Sequence, residues 1–415
     1  MLEVLDPGLG PGKGLLQPGI FVETIRIILT SLAIGGVTWS LGQRLRLWLA
    51  LEPPHPWSRM GFDFGFGMVL LNLFWTGTGL NRVWFQPLWM ISGPLLLGLF
   101  LWDFLQTLKE RPRPLISIPK EKSYWPLVFL GLLLLLFSFL EGLVPETFYD
   151  SMVYHLAVPA YWLLNHGMRD FPTNFFSNYP FGGEVYFLNG LVFQGTETAK
   201  ILHVFSFGAC ALMAGGWAAE WGGEKSAWLT LGLVLTFPLF VVCSWSTAVE
   251  GVLSLVLTLF AYSIVRFLRG GEGKAAWALS SGLFCGFAFS VKYTALLAFA
   301  VMLVVSWIKR PGVKGEKWRS HFLLFFLGSL VCALPWFVKN LAYTGDPFFP
   351  YFMDFFQGRH IPELGYDRLI REQHGWVTGS WWTWFLLPWT LTMGNPDSFN
   401  FCGPLALALS PFLLL

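Results

Sequence analysis

The chain has 415 residues, 54% of them hydrophobic and 13% charged, with a formal net charge of +2. So few charges cannot cover a water-soluble surface of that size, so lipid is the expected main solvent. The basic residues sit in short loops without interleaved aromatics, which argues against nucleic acid as a partner.

Residues 1–18 form a Gly/Pro-rich polar segment with Glu3 and Asp6, unlike the basic start and short apolar core of a cleaved signal peptide, so the first retained helix is expected to direct insertion. Apolar runs close to the roughly 20 residues that cross a hydrocarbon core follow at 19–41, 62–80, 87–107, 125–143, 198–219, 226–243, 247–268, 275–291, 293–308 and 322–341. Lipid offers no partner for backbone groups and the alternation of an outer-membrane barrel is absent, so these runs must be helices. The expected fold class is all-α, a polytopic transmembrane bundle of about 10–12 spans with a helical juxtamembrane loop on the outer face. Cys210, Cys243, Cys285, Cys332 and Cys402 stand singly in or beside apolar runs and read as small packing residues. A last apolar stretch, 403–415, stops at Leu415 without a polar flank and reads as an incomplete end. The organisation is thus a polar segment (1–18), accessory helices with a basic loop (19–124) and a main region (125–415).

Positive loops tend to stay cytoplasmic. Lys109, Arg111, Arg113, Lys120 and Lys122 share one loop, Arg266, Arg269 and Lys274 a second, and Lys309, Arg310, Lys314, Lys317 and Arg319 a third. Placing all three inside puts 144–197 outside, provided its apolar piece 183–194 does not cross; that piece is short enough to lie in the interface. The same parity brings Ser244–Thr247, Lys292 and the loop after Asn340 to the outer side. Ionisable groups at membrane depth are costly and usually line a cavity or substrate path; the alternative for each is a helix end snorkelling to water.

The segment 144–197 is neither a span nor a polar loop. From Ser151 to Asn165, Met152, Val153, Leu156, Ala160, Leu163 and Leu164 recur at helical spacing and leave Ser151 and His155 on a more polar side, which predicts a helix along the membrane surface. Tyr149, Tyr161, Trp162, Phe175, Phe176 and Tyr179 suit the headgroup level. Asp150 starts this helix, either as an N-cap or as a carboxylate, its pKa raised by desolvation, that takes a proton from a hydroxyl nucleophile. His155 follows five residues later, off the face of Asp150, so the two do not read as a metal pair. Glu146, Glu184 and His166 could supplement a cation site, but no spacing requires one; no metal ligand is assigned, and a divalent cation stays open as a cofactor.

Glu250 stands near the outer end of its run, as an interfacial or a substrate-facing carboxylate. Lys292 interrupts what is otherwise one very long apolar stretch. An ammonium near midspan costs roughly 2.5–3.5 kcal/mol on insertion scales, so a helix break open to a cavity is expected there. Such a lysine can neutralise a phosphate as a compact point charge. Lys339 and Asn340 end a span before a turn at Gly345–Pro347.

In this order, YDSMVYHLAVPAYWLLNHG with NYPFGGEVYFLNGL, STAVEGVLSLVLTLFAY, GLFCGFAFSVKYTALL and PWFVKNLAYTGDPFFP resemble segments of the GT-C superfamily of polytopic membrane glycosyltransferases. The likeness is to bacterial members of the oligosaccharide-core and dolichyl-mannosyltransferase-like group, and the stretch from Leu387 to Leu415 looks like a late segment of such enzymes. It runs from about residue 125 to the end. The resemblance implies an inverting enzyme of the bacterial inner membrane that moves a sugar from a polyisoprenyl-phosphate-linked donor to a glycan, lipid or protein acceptor at the outer face. Asp150 maps onto the acidic residue of the first large outer loop, as base or acceptor-orienting group; where some members carry a second adjacent acid, this chain has Ser151. Lys292 is then the candidate partner of the leaving phosphate. Glu184 and Glu250 become sugar or acceptor contacts, with Tyr154, His155 and Asn340 completing the substrate-binding set. A transporter or lipid-linked-glycan flippase is the competing reading, although the paired halves with matching broken helices that many transporters show are not evident. A third is a noncatalytic membrane subunit whose outer loop docks a partner.

Overall fold

The computed structural model describes residues 18–109, 123–270, 273–297, 299–300, 303–304 and 316–358. Among them every regular element is helical, as lipid demands of backbone groups that must be satisfied within the segment. In chain order these are α1 (Pro18–Trp48), α2 (Pro56–Leu80), α3 (Gln86–Lys109), α4 (Trp125–Gly142), a π-helical turn (Ser151–His155), α5 (Ala157–Leu164) and a 3-10 turn (Phe175–Asn178). Then come α6 (Gly182–Phe193), α7 (Thr196–Leu235), α8 (Pro238–Ser244), α9 (Glu250–Arg269), α10 (Lys274–Val291), a second 3-10 turn (Tyr293–Ala295), α11 (Glu316–Thr344) and α12 (Met353–Phe356).

Seven helices among the described residues, α1, α3, α4, α7, α9, α10 and α11, are long and apolar enough to cross a membrane. Three of the ten expected runs have no separate helix among these seven. The run 62–80 lies in α2, which is long enough but carries Arg59, Asp63 and Asn72 and buries most of its length inside the bundle. The runs 198–219 and 226–243 belong to α7 and α8, and the chain doubles back at Gly223, whose φ of 70° and ψ of −168° interrupt the helix. A Cβ on Gly215 would lie 2.9 Å from the Ala227 carbonyl oxygen, so the two arms of α7 run side by side. The run 293–308 lies partly outside the described residues, and so do Cys402 and the stretch 403–415.

The core is built on α2. Phe62 packs edge-on against Tyr262, Trp277 and Phe284 at centroid distances of 5.5, 5.6 and 5.7 Å, and Phe66 stacks on Phe284 at 4.8 Å. Glycines let the backbones meet: a Cβ on Gly67 of α2 would fall 1.7 Å from the Thr38 carbonyl oxygen of α1. A second cluster, including Trp75, Trp84, Trp162 and Trp336, fills the space beneath the 151–181 segment.

Two expectations for that segment are corrected. The piece 183–194 does not lie in the interface: it forms α6, whose residues 182–190 are all buried, with Asn72 Nδ2 donating to the Gly182 carbonyl at 2.7 Å and Trp75 Nε1 to Asn189 Oδ1 at 2.9 Å. Twelve residues are too short to span but apolar on every side, and burial within the bundle is the other solution open to such a helix. Nor do Ser151 and His155 form a water-facing polar side. Both are buried, while Met152 and Leu164 are exposed, so this stretch turns its polar groups inward. Trp162 is likewise fully buried and donates to the Arg169 carbonyl at 2.8 Å, whereas Tyr149 is 69% exposed.

Side-chain contacts fix the two ends of the bundle. Arg44 of α1 pairs with Asp103 of α3, Phe267 of α9 meets His321 of α11, and Tyr262 meets Trp277 of α10, so Lys109, Arg266, Arg269 and Lys274 gather at one end. The opposite end carries the 143–181 segment, the α8–α9 junction and the break after α10.

Candidate functional site

At this second end the sequence delivers its ionisable residues on separate elements. Helix α10 stops at Val291 because Lys292 adopts an extended backbone (φ −156°, ψ 134°), and the chain continues as a 3-10 turn. The expected break at Lys292 is therefore present. Its ammonium stands 3.2 Å from Glu250 Oε1, contributed by the first turn of α9, with the two side chains 49% and 35% exposed. Asp150 is helical (φ −63°, ψ −38°), and its carboxylate caps no backbone N–H. Its charge lies in electrostatic reach of the Tyr154 hydroxyl. Burial, then the adjacent Asp150 carboxylate, and then Glu184 and Glu250 push the Tyr154 phenol above its ordinary range, so it remains a donor.

His155 Nδ1 lies 2.5 Å from Glu184 Oε1, the carboxylate of the first turn of α6. Six sequence-predicted residues, Asp150, Tyr154, His155, Glu184, Glu250 and Lys292, thus share one region, and each of them is in direct contact with another of the set or in electrostatic reach of it. Asn340 does not join them. It is fully buried, its Nδ2 donating to the Tyr293 hydroxyl at 3.0 Å and its Oδ1 accepting from Lys339 Nζ at 3.2 Å, so it braces the turn that follows Lys292.

Glu146 and His166 do not assemble a cation site with Glu184. His166 stacks on Phe85 and bonds the Trp84 carbonyl, away from the cluster. No group of three His, Cys, Asp or Glu arranged to hold a metal occurs among the described residues. Glu146 has a different task. Its Oε1 accepts from the Thr147 and Phe148 amides at 2.9 and 3.0 Å, and its Oε2 accepts from the Thr247 amide and hydroxyl at 2.7 and 2.8 Å. It thereby joins the segment bearing Asp150 to the junction that leads into Glu250.

Two residues that the sequence reading passed over complete this frame. His203 of α7 is fully buried, with Nδ1 on the Ser246 carbonyl at 2.6 Å and the Gly251 amide donating to Nε2 at 3.0 Å. Lys200 Nζ donates to the Val144 carbonyl at 2.9 Å. The available signal was a lone ionisable residue inside an apolar run, the kind that rarely survives in a span without a partner.

Chemically, the cluster offers a half-exposed ammonium able to exchange a carboxylate for an anionic group, two partly exposed carboxylates, and a buried imidazole–carboxylate pair. Residues 184–374 match a family model described as a domain of unknown function (DUF8201). The matched region contains Glu184, Glu250, Lys292 and Asn340, and begins after Asp150, Tyr154 and His155. No curated protein and no solved structure matches the chain.

Proposed function

We propose that this chain is an inverting membrane glycosyltransferase that moves a sugar from a polyisoprenyl-phosphate-linked donor to a hydroxyl-bearing acceptor at the outer face of the bilayer. The observation that carries the proposal is the Lys292–Glu250 pair beside Asp150 and Tyr154, at the end of an apolar bundle opposite its basic end. The ordered resemblance to GT-C enzymes supports it independently.

A lipid-linked donor brings its phosphate to the depth at which Lys292 sits, and its chain remains in the hydrocarbon. Lys292 is paired with Glu250 and half exposed, so a phosphate can take the place of the carboxylate at the ammonium without stripping a buried charge. As the bond from the anomeric carbon to the phosphate oxygen breaks, negative charge grows on that oxygen, and an ammonium already in place stabilises the transition state more than the ground state. Glu250, released from Lys292, is free to accept from sugar hydroxyls. Asp150, in electrostatic reach of Tyr154, orients the acceptor hydroxyl or takes its proton. Electron pairs balance: the acceptor oxygen bonds to the anomeric carbon as the phosphate departs with its pair.

The test is transfer by the purified full-length protein from polyprenyl-phosphate hexoses and pentoses to an envelope glycolipid extract. Asp150→Asn and Lys292→Gln are each expected to lower transfer by about 10²-fold or more. Unchanged transfer by Asp150→Asn removes that residue from the chemistry. Movement of intact lipid-linked sugar across vesicles without product would favour the flippase reading instead.

A further inference from the structure

The proposed function leaves one part of the cluster without a task. Glu184 is 3% exposed, and while one of its oxygens lies 2.5 Å from His155 Nδ1, the other, Oε2, is buried with no hydrogen-bond partner. A half-satisfied buried carboxylate is expensive, and such orphans concentrate where a protein needs them for chemistry. In the tautomer whose Nδ1 proton faces Glu184, Nε2 presents its lone pair.

The backbone accounts for the placement. Between Ser151 and His155 the helix widens to a π turn, closed by the Leu156 amide on the Ser151 carbonyl at 2.9 Å. One extra residue per turn brings positions five apart closer to one side than an α-helix allows, and π turns recur at functional sites. His155 lies beside Tyr154, ring centroids 4.2 Å apart, and Tyr154 is in electrostatic reach of Asp150.

We infer that His155 is the base of the transfer and Glu184 its positioning residue, with Asp150 and Tyr154 left to hold the acceptor. The inference rests on the glycosyl-transfer reading. The acceptor O–H bond breaks toward His155 Nε2 while the oxygen lone pair forms the bond to the anomeric carbon, and the phosphate leaves with its electron pair. The imidazolium then returns its proton to solvent. Geometry favours this division of labour: Glu184 Oε1, 2.5 Å from His155 Nδ1, fixes the orientation of the ring, as a carboxylate behind a catalytic imidazole does.

Chemical rescue tests it in the full-length protein, with polyprenyl-phosphate hexoses and pentoses as donors and an envelope glycolipid extract as acceptor. His155→Gly is expected to lose about 10²–10⁴-fold in kcat, to regain rate when imidazole is added, and to respond to the basicity of substituted imidazoles. Glu184→Gln keeps the side chain's shape and covers the case in which His155→Gly fails to fold. It should lower kcat by about 10–100-fold, leave the donor KM within about twofold, and gain nothing from imidazole. Wild-type transfer together with a folded His155→Gly that keeps its rate, or loses it beyond rescue, overturns the dyad alone, as does a Glu184→Gln variant of unchanged kcat. Absence of transfer by the wild type overturns the glycosyl-transfer reading and the dyad with it.

Discussion

Glu146 shows how much one carboxylate can organise. Burial alone would raise its pKa, but the Phe148 and Thr247 amides, the Thr247 hydroxyl and the nearby Lys200 ammonium outweigh desolvation and hold it below the ordinary value of 4.5. A depressed carboxylate contributes stability that is fully present above the unfolded value and disappears as pH falls through the folded one. Thermal unfolding in detergent should therefore show the wild type losing stability as the pH drops below 4.5. Glu146→Gln should start lower, by about 1–3 kcal/mol for the buried donors left without a full partner, and lose less over the same range. Parallel pH slopes for the two proteins would show that Glu146 is not the group that titrates. Its role was only partly legible: a glutamate four residues before Asp150 is visible in the sequence, but its partner Thr247 lies 101 residues away. Nothing local signals that bond.

At the scale of elements, α10 and α11 are held together by glycine. A Cβ on Gly282 would fall 2.1 Å from the Phe325 carbonyl oxygen, and one on Gly286 2.1 Å from that of Ser329. These glycines are four residues apart, the spacing by which membrane helices approach closely, and the obstacle is backbone that cannot rotate away. Gly286→Ala should force the helices apart at a cost of about 1–3 kcal/mol. It should also weaken the Tyr293–Asn340 bond that braces the turn after Lys292. Gly98→Ala on α3, where a Cβ meets nothing within 4 Å, is the control and should melt with the wild type. Equal melting of Gly286→Ala would mean the interface adjusts without strain. Run length made the outer helices legible because crossing lipid fixes both length and composition. It could not separate α6 from an interfacial helix, since a short run that is apolar all round suits either place. Nor could it reveal the π turn at Ser151–His155, because that insertion leaves no periodic trace in five residues.

Taken as a whole, the molecule has one basic end and one end with paired acids and bases, and the inside-positive tendency turns that asymmetry into an orientation. The basic residues visible on α3, α9 and α10 gather together although they come from separate loops, and the polar junctions at Thr247, Lys292 and Asn340 all lie at the other end. The parity argument from sequence thus described the internal arrangement of the chain; only the direction relative to the cell rests on loop charge. With the native cysteines replaced by alanine, single cysteines at Tyr149 and Tyr351, 69% and 56% exposed, should react with a membrane-impermeant maleimide in intact cells. A cysteine at Trp221, 72% exposed beside Arg269 at the basic end, should react only after permeabilisation. The reverse pattern would put Lys292 and Asp150 on the cytoplasmic side and require a donor whose phosphate faces inward. Labelling of all three from outside would contradict the two-ended arrangement itself, because a bundle that binds Glu146 to Thr247 at one end and Arg266 to Glu220 at the other cannot present both ends to the same compartment.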